Sequence, residues 1–162
     1  MKHLLAFAAA FVPAAASAQT GAGQGEAVVV RPLSVVKVDD LRFGTLVAGS
    51  AAGQAMISQT SGARAVTGGV TGVGGDFGPA SFRAAGLANI LAIISVNTGT
   101  TITRVGGGAS MTVSDLATNR AALTVLPASG VLDINVGGRL SVAANQLPGD
   151  YAGSFTLTVI YL

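Results

Sequence analysis

The amino-acid sequence predicts an all-β protein, and more particularly a β-sandwich. Glycine, alanine, serine, threonine and valine dominate the 162 residues, and 23 of them are glycine. No window carries an apolar repeat of helical spacing bounded by helix caps. Instead, short runs that alternate between apolar and polar residues are separated by glycine-containing segments, which is the pattern of a sandwich built from many short strands.

The predicted strands follow one another at short spacing along the chain. In chain order they span residues 28–38, 54–58, 65–73, 81–85, 90–96, 101–105, 110–114, 123–126, 131–136, 139–143 and 152–161. Residues 86–96 are ambiguous, because periodicity alone cannot separate a short buried strand from a buried helix. The Ile-Ile-Ser-Val sequence at the end of this segment favours a strand.

Two turns are predicted before the last strand. The residues on either side of Gly137-Gly138 alternate in polarity, and two glycines are free to take positive φ, so a two-residue hairpin is predicted there. Residues 147–150, Leu-Pro-Gly-Asp, fit a type II turn, because proline presets φ at the second position and glycine takes the positive φ at the third. The last strand is therefore expected to begin near Tyr151.

The last predicted strand has one apolar face. Because side chains alternate across a pleated strand, Phe155, Leu157, Val159 and Tyr161 fall on the same side. Serine and threonine occupy most of the opposite side, which predicts a core face and a solvent face. Ile160 interrupts the polar side and predicts that this end of the strand is covered on both faces.

The first 18 residues are predicted to be a signal peptide. They consist of a short basic start (MKH), an apolar run too short to span a bilayer, and a cleavage site of small residues at Ala16-Ser17-Ala18. A retained membrane anchor is the alternative. Processing would leave an N-terminal extension, residues 19–32, followed by one β-sandwich domain, residues 33–162, in a secreted protein.

The processed chain is poor in catalytic and metal-binding side chains. It has no Cys and no Trp, and its single histidine, His3, lies in the signal peptide, which excludes ordinary zinc sites and Ser-His or Cys-His pairs. Without Lys2, eight basic residues remain against seven acidic ones, and the arginines are scattered singly. Nucleic-acid binding therefore has no electrostatic footprint. We expect a protein that is not an enzyme, holds no cofactor or metal, and does not span a membrane once processed.

Four segments resemble a family of secreted bacterial proteins. They are VGGRLSV at 136–142, Gly149-x-Tyr151-x-Gly153, Pro32-Leu33-Ser34 and Leu41-x-Phe43-Gly44. With the alternating final strand, they resemble the family called domain of unknown function 4402, over about residues 27–162. That family is similar to the pilins assembled by periplasmic chaperones and ushers. The resemblance implies an immunoglobulin-like, pilin-like β-sandwich that lacks its last strand, although this chain departs from many pilins in having no disulfide.

The resemblance implies that the N-terminal extension of one subunit fills a groove in the next, beside the inward row of the last strand. Residues 26–31, EAVVVR, are the strand-like part of the extension, with Val28 and Val30 as the inward donor residues. Their burial would contribute roughly 3 to 6 kcal/mol before the ordering cost is subtracted. A second, longer register would turn inward Val29, Leu33 and Val35. The sequence leaves both registers open, and also leaves open a first strand that pairs within its own sheet.

Other noticeable residues have structural interpretations. Tyr161 is either the last core aromatic or a contact for an assembly chaperone, and Tyr151 is suited to a tyrosine-corner hydrogen bond. The glycine runs at 68–75 and 106–108 lack phosphate-binding motifs and predict loops or bulged strands. Asp39-Asp40 predicts a solvated turn, because adjacent strand residues point to opposite faces.

The sequence leads to three functional hypotheses. The first is a structural subunit of an extracellular fibre that passes through the periplasm. Its expected partners are identical or related subunits and a periplasmic chaperone and usher. The second is a stand-alone secreted or periplasmic β-sandwich that adheres to a carbohydrate or protein surface, although a chain with no Trp and two Tyr offers few aromatic platforms for sugars. The third is a small outer-membrane β-barrel, which an aromatic content of 5% disfavours.

Overall fold

The computed structural model describes residues 32–162 of the chain. They form eleven strands and no helix: β1 (Ser34–Asp39), β2 (Arg42–Ile57), β3 (Arg64–Gly78), β4 (Ala80–Ala85), β5 (Leu91–Val96), β6 (Gly99–Arg104), β7 (Ser110–Thr118), β8 (Leu123–Val125), β9 (Val131–Val142), β10 (Tyr151–Ala152) and β11 (Leu157–Tyr161). The predicted all-β fold is confirmed. The predicted signal peptide and the donor candidates Val28 and Val30 lie outside the described residues.

The strands pair antiparallel and form two sheets. The larger sheet has the order β1-β4-β9-β7-β6-β10, with β2 added to β9 and β3 added to β2, and the smaller sheet has the order β11-β5-β8. β9 is the central strand of the larger sheet. Its first half pairs with β4, its second half pairs with β2, and β7 lies along its other side.

Two apolar clusters fill the space between the layers. The first lies between the two sheets and contains Ala84, Ala92, Ile94, Leu126, Leu132, Ile134 and Val159. The second lies beneath the first half of β2 and contains Ala55, Val70, Ala80, Val113, Leu116, Val136, Leu140 and Val142. Phe82 and Leu157 pack against both clusters. This layered arrangement confirms the predicted β-sandwich.

The β2–β3 hairpin extends the larger sheet and also covers the second cluster. Residues 53–57 pair with β9 in the larger sheet, whereas residues 42–48, which we call the β2 arm, pack over the second cluster. The register between β2 and β3 shifts at the junction of these two parts. A Cβ on Gly68 would lie 2.6 Å from the carbonyl oxygen of Ala52, so only glycine permits this approach of the two strands.

Arg64 connects the β2 arm to the rest of the hairpin. Its Nη1 donates hydrogen bonds to the carbonyl oxygens of Phe43, at 2.9 Å, and Gly74, at 3.1 Å. Its guanidinium carbon also lies 4.5 Å from the ring centroid of Phe77, within the range of a cation–π contact. One side chain therefore holds the arm at several points.

The predicted hairpin at Gly137-Gly138 is wrong. β9 runs without interruption from Val131 to Val142, and neither glycine has positive φ. These positions need glycine because another part of the chain approaches closely. A Cβ on Gly137 would overlap the carbonyl oxygen of Ile57 and lie 2.5 Å from the backbone nitrogen of Gln59.

The last predicted strand is divided between the two sheets. Tyr151–Ala152 pairs with β6 in the larger sheet, whereas Leu157–Tyr161 pairs with β5 in the smaller one. The chain crosses between the layers in the residues that separate these strands. A Cβ on Gly153 would lie 2.7 Å from the carbonyl oxygen of Thr101, so glycine is required where the crossing begins.

The turn before the last strand also differs from the prediction. Gly149 has the expected positive φ, but at 142° it is far from the value of a type II turn. The hydrogen-bonded turn lies earlier, where the Gln146 N–H donates to the Ala143 carbonyl oxygen at 3.3 Å. Asn145 takes the positive φ of this turn, 50°.

Two other segments complete the comparison with the predicted strands. Leu91–Val96 forms β5, which confirms a strand in the ambiguous segment. Residues 42–53 were not predicted as a strand, yet they form most of β2, with a bulge at Gly44 where φ is 73°. Within residues 32–162, no helix is long and apolar enough to cross a membrane.

Candidate strand-acceptor groove

β11 and the residues before it present the predicted apolar row to the core. Val159 is buried, and Phe155, Leu157 and Tyr161 are partly buried. The Phe155 ring packs edge to face on Phe82, with centroids 6.0 Å apart and an interplanar angle of 78°. The inward orientation of the row is confirmed, and its role in assembly stays a prediction.

One edge of β11 has no partner strand among the described residues, because β11 ends the smaller sheet. On its paired side, the Asn97 N–H donates to the Thr156 carbonyl oxygen at 3.3 Å, and the Leu162 N–H donates to the Leu91 carbonyl oxygen at 3.0 Å. Hydrogen-bonded and non-hydrogen-bonded pairs alternate along an antiparallel ladder. The backbone N–H and C=O groups of Leu157, Val159 and Tyr161 therefore point toward the free edge.

The outer face of β11 is open. Ile160 is 49% exposed, so the prediction that this end of the strand is covered on both faces is wrong for the part of the chain that the structure describes. Thr158, on the same face, is exposed as well. Within residues 32–162, β11 is thus half-covered on its inner face, while its outer face is exposed and one edge has no partner strand.

β1 is also an edge strand, and its inner face is incompletely covered. It ends the larger sheet and pairs with β4 alone among the described strands. Val35 lies opposite the buried Ala84, and Lys37 lies opposite Phe82, so both point to the core side of the sheet. Val35 is nevertheless 38% exposed.

β1 and β11 are edge strands of different sheets that reach the same cluster, because Leu33 and Tyr161 both pack against it without being fully buried. We call the region between these two edges the groove. A strand edge with free backbone groups beside partly exposed apolar side chains is a template for the addition of another strand. The geometry of the groove therefore suits an extended segment.

At one end of the groove, the start of β1 and the end of β11 meet at Gly86. A Cβ at this position would overlap the Tyr161 hydroxyl and lie 3.2 Å from Leu33 Cδ1. Tyr161 Oη accepts a hydrogen bond of 2.6 Å from the backbone N–H of Leu87. Tyr161 thus has a structural role in closing this end, which we call the Tyr161 end, and its recognition by a chaperone stays a prediction.

Tyr161→Phe is expected to lower the free energy of unfolding by about 1 to 3 kcal/mol, because it leaves the partly buried N–H of Leu87 without its acceptor. Urea denaturation measures this change. Tyr151→Phe is the matched control, because the partners that it leaves behind keep other hydrogen bonds: the carbonyl oxygen of Leu147 is exposed to water, and Gln146 Nε2 also donates to the carbonyl oxygen of Ser110 at 3.3 Å. A smaller loss for Tyr161→Phe than for Tyr151→Phe would contradict the assignment.

The other end of the groove carries a group of charged side chains. Lys37 Nζ lies 2.6 Å from Asp40, and Arg42 lies 3.3 Å from Asp39 and 2.9 Å from Asp76. Three carboxylates thus face two cations, and all five side chains are more than a third exposed. Asp39 and Asp40 are solvated, as predicted, but Asp39 is the last residue of β1 and only Asp40 lies in the connection to β2. We call this the Asp40 end.

Near the Asp40 end, a cleft of about 1020 Å³ opens between the β2 arm and strands β6 and β10. Its apolar lining includes Leu41, Phe43, Leu46, Ile102, Met111 and Phe155. Phe155 also packs on Phe82 beneath the groove, so the cleft continues the groove. Sequence reasoning missed this cleft because it did not predict the β2 arm.

The predicted tyrosine corner lies on the wall of the cleft and is confirmed. Tyr151 Oη donates to the carbonyl oxygen of Leu147 at 2.7 Å and accepts from Gln146 Nε2 at 2.8 Å. This pair of bonds holds the loop before β10 against the start of that strand. The glycine runs behave as predicted, since residues 68–75 lie in the bulged strand β3 and residues 106–108 form a loop with positive φ.

An ion pair outside the groove joins β4 and β9. Arg83 Nε donates to Asp133 at 2.7 Å, and this hydrogen bond lowers the pKa of the Asp133 carboxyl. A lowered folded-state pKa stabilises the fold above the unfolded pKa, and the contribution is lost as the pH falls through the folded value. Within residues 32–162, no three His, Cys, Asp or Glu side chains are placed to hold a metal ion.

The described residues define an antiparallel β-sandwich in which two edge strands, β1 and β11, reach the same apolar cluster. A comparison with known protein families finds a match to the family described as Domain of unknown function (DUF4402), over residues 33–161. The chain therefore belongs to this family, as the resemblance predicted. Neither the curated proteins nor the solved structures gave a match.

Proposed function

We propose that the protein is a structural subunit of an extracellular fibre and polymerises by donating an N-terminal strand to the groove of another subunit. The observation that carries this proposal is the groove itself. Its margins are a free edge of β11 and a β1 strand whose inward Val35 is 38% exposed. An added strand would complete both the backbone pairing and the apolar contacts. In this role the protein is not an enzyme and uses no cofactor.

The position of β1 supports the shorter of the two donor registers. Leu33 packs against the cluster between the sheets, and Val35 pairs with Ala84 of the same chain. A donor strand that used these residues would have to leave its own sheet. The register with Val28 and Val30 inward leaves β1 in place.

The expected free energies of burial and hydrogen bonding indicate that the groove binds each donated strand with moderate affinity. Burial of two valines contributes roughly 3 to 6 kcal/mol, and each backbone hydrogen bond made to the free edge of β11 adds about 0.5 to 1.5 kcal/mol. The cost of ordering the donor and of losing its free motion opposes these contributions. A periplasmic chaperone and usher would deliver such subunits efficiently, and the predicted signal peptide would place the protein in their path to the cell surface.

The proposal is tested by expressing the processed chain with and without residues 19–31. The longer chain is expected to give ladders of oligomers on native gels and filaments in electron micrographs. The shorter chain is expected to remain monomeric, because it keeps the groove and lacks the donor. Two stable monomers would contradict strand donation.

The cleft favours a second candidate, a secreted binding module. It is open and partly apolar, with the Phe43 and Phe155 side chains on its walls, and such sites bind small or extended ligands. Two stable monomers in the truncation experiment would favour this candidate. Binding of a glycan or peptide that is weakened by Phe43→Ala would then support it.

A further inference from the structure

We propose that the outer face of the smaller sheet is an interface at which two copies of this chain pack face to face. The contact involves no donated strand, so it is independent of the proposed function. The face carries six aliphatic side chains, which we call the aliphatic patch: Leu91, Ile93, Leu123, Val125, Ile160 and Leu162. The proposal is carried by their arrangement, by their exposure, and by the alternation of residues in the strands beneath them.

The aliphatic patch consists of two rows that cross all three strands of the smaller sheet. In the first row, Ile93 of β5 lies opposite Ile160 of β11 and opposite Leu123 of β8. The second row, two residues further along each strand, consists of Leu91, Val125 and Leu162. Directly opposed residues of antiparallel strands have Cβ atoms about 4.5 to 5.5 Å apart. The six side chains therefore form one continuous apolar surface.

Most of the aliphatic patch is exposed among the described residues. The four side chains on the two outer strands are between 49% and 64% exposed, and the two on β5 are partly buried between them. The patch thus presents on the order of 400 Å² of apolar surface, a size at which the largest patch of a monomer is often functional.

The residues of the smaller sheet alternate as if both of its faces were buried. β5 begins with a continuous apolar run, residues 91–94, which is typical of a strand covered on both sides. In β8 the usual alternation is inverted, because Leu123 and Val125 point outward while Thr124 points to the core. Ile160 likewise interrupts the polar side of β11. The sequence therefore suits this outer face to contact with another apolar surface.

A second copy of the same sheet fits this face. Sheets stack about 10 Å apart through interdigitating side chains, and a two-fold axis allows one patch to cover another. The two rows contain no charged residue, and neither does the Ser95 and Thr158 pair beside them, so the contact sets no like charges together. With this polar margin, the pair would bury on the order of 1,000 Å² in total, which is the lower limit of a specific interface. The dimer is therefore expected to be weak.

Two other occupants fit this face less well. The N-terminal extension, residues 19–32, offers three consecutive valines, and an extended segment turns alternate side chains to opposite faces. It would leave most of the six aliphatic side chains uncovered. A lipid surface is disfavoured, because segments that bind at membrane interfaces combine apolar residues with Trp, Phe, Lys or Arg, and the patch contains none of these.

Sedimentation velocity tests the pairing in the chain that lacks residues 19–31, in which strand donation contributes nothing. We expect a monomer at about 10 μM and a dimer at about 1 mM, because an interface of this size suits a dissociation constant on the order of 100 μM. Urea denaturation establishes that this chain and each variant are folded, and the processed chain is measured at the same concentrations. Monomers at every concentration would overturn the proposal, whether or not the processed chain forms polymers by strand donation.

Lysine substitutions locate the contact. Leu123→Lys and Ile160→Lys alter the two outer strands of the smaller sheet, and each brings ammonium groups into an apolar interface. We expect each to weaken the dimer at least about tenfold. Val36→Lys is the matched control, since Val36 is a 60% exposed strand residue of the larger sheet, and it is expected to leave the dimer unchanged. Dimers that survive either patch substitution, or that are weakened equally by Val36→Lys, would overturn the face-to-face contact.

Discussion

Val35→Asp is expected to abolish polymerisation while the isolated domain stays folded. In the isolated domain Val35 is 38% exposed, so an aspartate there remains in contact with water. Under an inserted strand, the same carboxylate would be buried without a partner, at a cost of about 3 to 5 kcal/mol. That cost corresponds to a loss of affinity of roughly a hundredfold to several thousandfold. Native gels and electron micrographs of the processed chain measure the result.

Val36→Asp is the matched control for this prediction. Val36 is the next residue of the same strand, lies opposite Arg83 on the outer face, and is 60% exposed. The same charge on that face is expected to leave polymerisation unchanged. Equal loss of polymers in both variants would show that the inner face of β1 is not part of the contact.

Ile134→Ala is expected to lower the free energy of unfolding by about 2 to 5 kcal/mol. Ile134 is fully buried, with 0% exposure, in the cluster between the two sheets. Truncation removes its buried methyl groups and leaves a cavity that a sheet-on-sheet contact closes only in part. Urea denaturation of the chain that lacks residues 19–31 measures the effect without interference from polymers.

Val105→Ala is the control for the core substitution. Val105 is 67% exposed in the loop after β6, and its truncation is expected to change stability by no more than about 0.5 kcal/mol. A similar small effect for Ile134→Ala would contradict the packing of the smaller sheet on β4 and β9.

The alternation of apolar residues along β9 fits one continuous strand better than the predicted hairpin. In a two-residue hairpin at Gly137-Gly138, Val136 and Arg139 would share a face, and Leu140 would lie on the opposite one. In the sequence, Leu140 keeps the same parity as Ile134 and Val136. All three are buried on one face of a continuous strand. The parity of apolar residues was therefore a better guide than the local preference of glycine for turns.

Local hydrogen bonds were predictable, whereas strand partners were not. A tyrosine-corner hydrogen bond was predicted for Tyr151, and the bond it makes, to the carbonyl oxygen of Leu147, joins residues only four apart. The division of the last strand depends on pairing with Arg104 in one sheet and Val96 in the other. Both partners are about fifty residues or more away, and alternation continues across the crossing without marking it. No short-range sequence pattern indicates which strands pair with each other.

The groove was predicted in part. The inward row of β11 followed from alternation alone, which is a property of one strand. The free edges of β1 and β11 depend on the order of strands in each sheet, which that alternation does not determine. The β2 arm that forms the cleft was missed because its alternation is interrupted by the bulge at Gly44 and the glycine-rich bend. Its position also depends on Arg64, which bonds to carbonyl oxygens remote in sequence.

Hydrogen exchange at the amides of β11 tests the central claim most directly. The chain lacking residues 19–31 is measured by NMR alone and with a peptide of those residues. Alone, the amides of Thr158 and Ile160 are expected to be protected by β5, and those of Leu157, Val159 and Tyr161 to exchange faster, because they point to the free edge. The account predicts that the peptide protects these three amides. Unchanged exchange at all three, under conditions in which the peptide binds, would contradict strand addition to β11.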